Sequence, residues 1–350
     1  MPRVNRTEIF AAEDVQVFHL VNRCVRRSFL CGLDRRSRKD SSHRKEWIRD
    51  PLELLAGIFG IEVLGYAVMS NHLHVVARTR PDLGKTWSDD DIALRWWRLF
   101  PQRRDADGAA AEPTEFELKM IRQQGGGLKE KRERLSQLSW FMRCLAEPIA
   151  RRANQEDEVT GRFWEGRFRA QPLLDETALA ACLAYVDLNP IRAKLATSLE
   201  SSDFTSVQAR IADRQTAQEV STPDAQDVRL EQGEQAGWLA PIALEPPRKK
   251  VREKTTTRRA SNLGCLPMSL DAYLQLLDWT GRLLRREATK QGHIPAACAP
   301  VLERLSCDTE TWLDWVLHFR QRFRNEAGLP ITRQKFRTTR KLRRDSQLAP

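Results

Sequence analysis

Apolar and polar positions alternate over Val15-Gln16-Val17-Phe18-His19-Leu20-Val21, the period of a strand with one buried face. From Trp47 to Phe59 the apolar positions Trp47, Leu52, Leu54, Leu55 and Ile58 recur at helical spacing. Ile61 to Met69 is rich in strand formers, Ser70-Asn71 supplies turn chemistry, and His72 to Ala77 alternates again, which predicts a hairpin. Ile92 to Phe100 predicts a short helix closed by Pro101, with Trp96-Trp97 as core plus boundary. Leu135 to Asn154 predicts a long helix that Pro148 should kink. Phe168 to Leu174 predicts a last strand, after which Asp175 caps a helix from Glu176 to about Leu188, stopped by Asn189-Pro190.

Residues 1–211 therefore read as a mixed α/β domain, with a charged insertion at about 102–134 that includes Gly125-Gly126-Gly127. Over 212–262 Gln, Glu, Ser, Thr and Pro dominate, and Arg248 to Arg259 carries seven basic residues against one acid, the composition of a flexible basic linker. Helical periodicity returns over 263–350, with Tyr273, Trp279, Trp312 and Trp315 at core-like spacing. The basic tail Arg333 to Arg344 holds seven basic residues and no acid. This last region reads as a mainly helical accessory part that adds affinity and does no chemistry, so a chain ending near Arg210 is expected to keep its chemistry; the two basic clusters suit solvated tails equally well.

Composition narrows the partners. Hydrophobic residues make up 41% of the 350, enough to bury a core, and no apolar run approaches the roughly 20 residues of a membrane helix. Met1-Pro2-Arg3 leads into charged sequence without an apolar leader, which predicts a cytoplasmic protein without a membrane partner. The 58 Lys and Arg against 47 Asp and Glu leave a net charge of +11, which favours a polyanion. The seven cysteines are odd in number and form no C-x-x-C pair, so neither a disulfide framework nor a zinc ribbon is indicated.

Two segments carry candidate chemistry. His72 and His74 stand at i and i+2 of a strand and project from one face, where two neutral imidazoles can ligate a divalent cation; Leu73 points into a core. The same spacing also suits ordinary polar residues on a half-buried strand. Tyr185 and Asn189 lie about 40° apart on one helix face, and the stripe continues back through the small Ala181 and Ala178. A face so free of bulk could admit a DNA backbone. Its plainer reading is a partly buried tyrosine beside an asparagine at a helix end.

Taken together, His72-Leu73-His74, Phe163-Trp164-Glu165-Gly166-Arg167-Phe168 and Tyr185-x-x-x-Asn189-Pro190, in that order over residues 15 to 210, resemble one family. These are the single-strand tyrosine transposases of the insertion sequence 200 type, especially the branch associated with repetitive extragenic palindromes. The resemblance implies an α+β fold, a ferredoxin-like sandwich with an antiparallel sheet. It implies Tyr185 as nucleophile and His72, His74 and Asn189 as ligands of Mg²⁺ or Mn²⁺. It implies single-stranded or hairpin DNA as partner, cleaved and rejoined through a 5′-phosphotyrosine. Relatives act as monomers or as dimers that exchange tyrosine helices, which leaves a homodimer open. Arg23, Arg26 and Arg27 after the first strand, and Arg162, Trp164, Arg167 and Arg169 before the tyrosine helix, are the DNA-binding candidates. The core explanation suits Trp164 and Phe168 equally well. The insertion and the C-terminal region depart from the family pattern. Two readings compete with catalysis: a catalytically silent nucleic-acid binder on the same sheet, and a zinc-stabilised regulator resting on the histidines and free cysteines.

Overall fold

The computed structural model describes residues 13–25, 30–34, 38–125, 127–219, 237–244, 258–284 and 298–348. Four strands, β1 (Val17–Arg23), β2 (Ile61–Val68), β3 (His72–Thr79) and β4 (Arg169–Leu173), form one sheet in the order β2-β3-β1-β4, and every pair is antiparallel. Helix α1 (Glu46–Ile58) connects β1 to β2. Between β3 and β4 run α2 (Pro81–Thr86), α3 (Asp89–Leu99), α4 (Glu115–Gln123), α5 (Gly127–Leu135) and α6 (Leu138–Glu156). With α1 and α6 as its two main helices, this is the β-α-β-β-α-β order of the ferredoxin-like sandwich.

Alternation assigns each strand residue to one of two cores. Phe18, Leu20, Leu73, Val75 and Ala77 face α1 and α6, in a core with Ile48, Leu52, Phe141 and Leu145. The insertion is folded: α4 opens with a capping box of Thr114 and Glu117, and Ile121 packs on Trp97 of α3. Helix α6 runs from Leu138 to Glu156 as a single helix across Pro148, the residue that predicts a kink. The first strand begins at Val17, two residues later than its alternation suggests.

The other sheet face is covered by the helices C-terminal to β4. Helices α7 (Glu176–Asp187), α8 (Asn189–Arg192), α9 (Ser206–Glu219), α10 (Leu270–Leu284), α11 (Ala299–Arg304), α12 (Thr309–Arg322) and α13 (Pro330–Leu348) follow among the described residues. Asp175 caps α7 by accepting from the Ala178 amide at 2.8 Å, and its second oxygen accepts from the Leu329 amide just ahead of α13 and the Thr332 hydroxyl in its first turn. Every residue from Thr177 to Asp187 is buried, so α7 is sheathed on all sides. Leu64, Val76 and Leu173 of the sheet, Leu179 and Leu183 of α7, and Tyr273, Leu276, Trp312 and Phe319 of the C-terminal helices belong to one hydrophobic core.

This overturns the expectation that the alanine stripe of α7 stands open to a DNA backbone. Ala178 and Ala181 have no exposed surface, and α12 lies along α7. Small side chains on that face admit a second helix, whose burial of apolar area an open stripe would forgo. No helix among the described residues is long and apolar enough to cross a membrane.

Candidate active site

β3 and α7 deliver the predicted residues to one place. His72 and His74 project from the α7 face of the sheet, with ring centroids 4.6 Å apart. Helix α7 carries Tyr185 to a centroid distance of 5.7 Å from His74, and Asn189, at the start of α8, brings its amide nitrogen to 3.0 Å from His74 Nε2. Together with Arg23, Arg167 and Arg169, the two histidines and Tyr185 line a cavity of about 470 Å³.

Further residues that carry no sequence signal of their own complete this arrangement. His19 stands on β1 one diagonal from His74, because Val21 pairs with His74 and His19 with Val76. Its Nε2 lies 2.8 Å from His74 Nδ1 and its ring stacks on that of His74. The Gln171 side chain on β4 hydrogen-bonds His19 and donates its amide N–H to the Phe323 carbonyl at 2.7 Å. Arg192 sits 4.2 Å above the Tyr185 ring and donates to Asn189 Oδ1 at 3.2 Å. Phe319 of α12 stacks on Tyr185 at 5.4 Å, just past a kink at His318, and Arg320 lines the cavity. His19 occupies a predicted strand at the right parity, but its partner is fixed only by register. Phe319 and Arg320 come from a region without a motif.

The electrostatics are those of an anion site with neutral imidazoles. Burial, then the cations Arg23, Arg320 and Arg192, push His72 down to about 4. Burial also pushes His19 down to about 4, against the opposing effect of its hydrogen bond to Gln171. Burial and the neighbouring histidines hold His74 well below its ordinary value. All three are uncharged at neutral pH, so each ring keeps one nitrogen lone pair, which in His74 and His19 accepts a hydrogen bond. Among the lining residues Glu165 is the single acid, and it pairs with Arg23 at 3.5 Å.

A divalent cation fits the donor set in kind. His72 Nδ1 lies 2.6 Å from Asn71 Oδ1, which can only accept, so His72 carries its proton there and its lone pair on Nε2. Among the described residues no three His, Cys, Asp or Glu side chains converge as ligands, and the Asn189 amide oxygen is the third donor that the family resemblance implies. That amide now turns its nitrogen to His74 and its oxygen to Arg192, and ligation requires it to rotate. Cys24 and Cys31 are buried, and burial raises their thiols to about 12 and about 11.

The remaining DNA-binding candidates divide. Arg162 and Arg167 are exposed, Arg23 is exposed beside Glu165, and Arg169 is half-buried on β4. Trp164 is committed to the fold: its indole N–H donates to the Ala146 carbonyl at 2.8 Å and its ring packs on Phe163. Arg26 and Arg27 lie outside the described residues.

No family model matches the chain, and no curated protein matches it. A solved structure of a REP-associated tyrosine transposase bound to a REP hairpin is similar over 61% of this chain and 86% of that one, with 12% sequence identity and a TM-score of 0.34.

Proposed function

We propose that this protein cleaves and rejoins single-stranded DNA through a covalent bond between Tyr185 and a 5′-phosphate, assisted by Mn²⁺ or Mg²⁺. The observation that carries the reading is the convergence of one phenol and two uncharged imidazoles on a single arginine-lined cavity, with the Asn189 amide hydrogen-bonded to His74 beside it. Arg23, Arg167, Arg169 and Arg320 would hold the phosphates flanking the scissile bond. Tyr185 Oη attacks phosphorus, a new P–O bond forms, the bond to the 3′ oxygen breaks, and that oxygen leaves as a hydroxyl with the proton the phenol gives up. A 3′-hydroxyl reverses the step and rejoins DNA without loss of the phosphodiester's energy. A bound cation would polarise the scissile phosphate and neutralise charge developing on it. His72, His74 and Asn189 would hold it, and two nitrogen donors out of three favour Mn²⁺ over Mg²⁺.

The test is incubation of a labelled single-stranded hairpin oligonucleotide with Mn²⁺, followed by denaturing electrophoresis. A protein–DNA adduct is expected with the natural protein. Tyr185→Phe should abolish it and leave binding nearly intact, because the ring keeps its packing on Phe319. Tyr66 is no substitute nucleophile, being buried against Trp238. One observation favours a second reading, nucleic-acid binding without chemistry: Tyr185 is only 6% exposed, with Arg192 above its ring and Phe319 stacked on it. An intact oligonucleotide, bound but never joined to protein in Mn²⁺, would select that reading.

A further inference from the structure

The polar side chains in and behind the cavity wall form one chain of hydrogen bonds. Arg192 donates to Asn189 Oδ1, and Asn189 Nδ2 donates to His74 Nε2. His74 Nδ1 meets His19 Nε2, His19 meets Gln171, and Gln171 donates to the Phe323 carbonyl. Both ends are fixed in polarity. A guanidinium can only donate and a backbone carbonyl can only accept, so all the links between them run in one direction. His74 Nε2 accepts, hence Nδ1 carries the proton and donates to His19 Nε2; His19 in turn donates from Nδ1 to the Gln171 amide oxygen. Both ends also rest on the C-terminal region, since Arg192 reaches the Leu317 carbonyl at 3.4 Å and the Phe323 carbonyl directly follows α12.

We infer that His19 is a positioning residue that fixes His74 in the tautomer with its proton on Nδ1 and its lone pair on Nε2, the nitrogen that Asn189 approaches. His74 Nδ1 has His19 as its hydrogen-bond partner, so on that side of the ring the tautomer is set by His19. An imidazole free to take either tautomer would present the Nε2 lone pair for only part of the time, and a ligand so divided binds its cation less tightly. The tautomer assignment stands on the hydrogen bonds alone; its consequence for a cation rests on the function proposed above.

Two readouts test it on the full chain: nitrogen-resolved NMR of the histidine rings without metal, and Mn²⁺ affinity by electron paramagnetic resonance. The natural protein should show His74 protonated on Nδ1. His19→Gln keeps an acceptor and should retain that tautomer, with Mn²⁺ affinity within a few-fold. His19→Phe keeps a ring without an acceptor; the His74 proton should redistribute to Nε2 and Mn²⁺ affinity should fall by about 10- to 100-fold. Should His19→Phe fail to fold, Gln171→Met removes the acceptor for His19 Nδ1–H and should likewise loosen the His74 tautomer. His74 protonated on Nε2 in the natural protein, or an unchanged His74 tautomer in folded His19→Phe or Gln171→Met, overturns the assignment. A natural protein that forms no DNA adduct yet shows the Nδ1–H tautomer would sink strand transfer and leave His19's role standing.

Discussion

His72 and His74 stand two residues apart on β3, yet removing them should have different costs. His74 is buried with both ring nitrogens engaged, whereas His72 is half-buried with its Nδ1 bonded to its neighbour Asn71. His74→Ala strands the Asn189 amide and His19 Nε2 in a buried setting, which should cost about 2–3 kcal/mol of stability. His72→Ala should cost less than about 1 kcal/mol. Both should abolish Mn²⁺-dependent cleavage, so thermal denaturation separates a ligand that is also a structural link from one that is not. Equal loss of stability in the two variants would contradict the hydrogen-bond pattern. At this scale the pair was legible because strand parity is a property of the local sequence. His19 was not, since its adjacency to His74 depends on how β1 and β3 are paired in register.

Helix α7 shows what sequence patterning gets right and where it stops. Its limits and its Asp175 cap follow from local spacing, and the structure has them; Asn189 begins the next helix, α8, and meets His74 from there. The burial of the alanines does not follow from local spacing. A stripe of small residues says only that something approaches closely; in the structure the stripe is buried, and α12, more than a hundred residues on in the chain, packs along α7. Ala181 lies one turn before Tyr185, which stacks on Phe319 of α12. Ala181→Leu should therefore press against α12 and destabilise the protein by about 1–3 kcal/mol, readable as a lowered thermal midpoint. Unchanged stability would mean the stripe is open after all, and the DNA-facing reading of α7 would return.

At the scale of the molecule the C-terminal helices are part of the site's frame. They complete the core under α7, and the Leu317 and Phe323 carbonyls receive the two ends of the hydrogen-bond chain behind His74. A chain ending near Arg210 would lose Phe319 from Tyr185 and uncover α7, so truncation cannot isolate any contribution of this region to DNA affinity. Side-chain replacement can. The two basic clusters of the sequence also part company: residues 248–257 lie outside the described residues, while Arg259 is buried and donates to the Leu239 carbonyl at 2.6 Å. The second cluster forms α13, where Arg333, Arg337, Arg340 and Lys341 fall within about 100° of one helix face. Arg333 and Arg337 share the buried Glu326 carboxylate, so Arg340 and Lys341 are the charges of that stripe whose removal leaves the Glu326 ion pairs intact. If α13 tracks phosphates, Arg340→Gln with Lys341→Gln should leave cleavage of a short oligonucleotide unchanged while flattening the dependence of log affinity on log salt by about 1.4, at about 0.7 per lost contact on single strands. A slope equal to that of the natural protein would mean that these two side chains touch no phosphate and that α13 is a solvated helix.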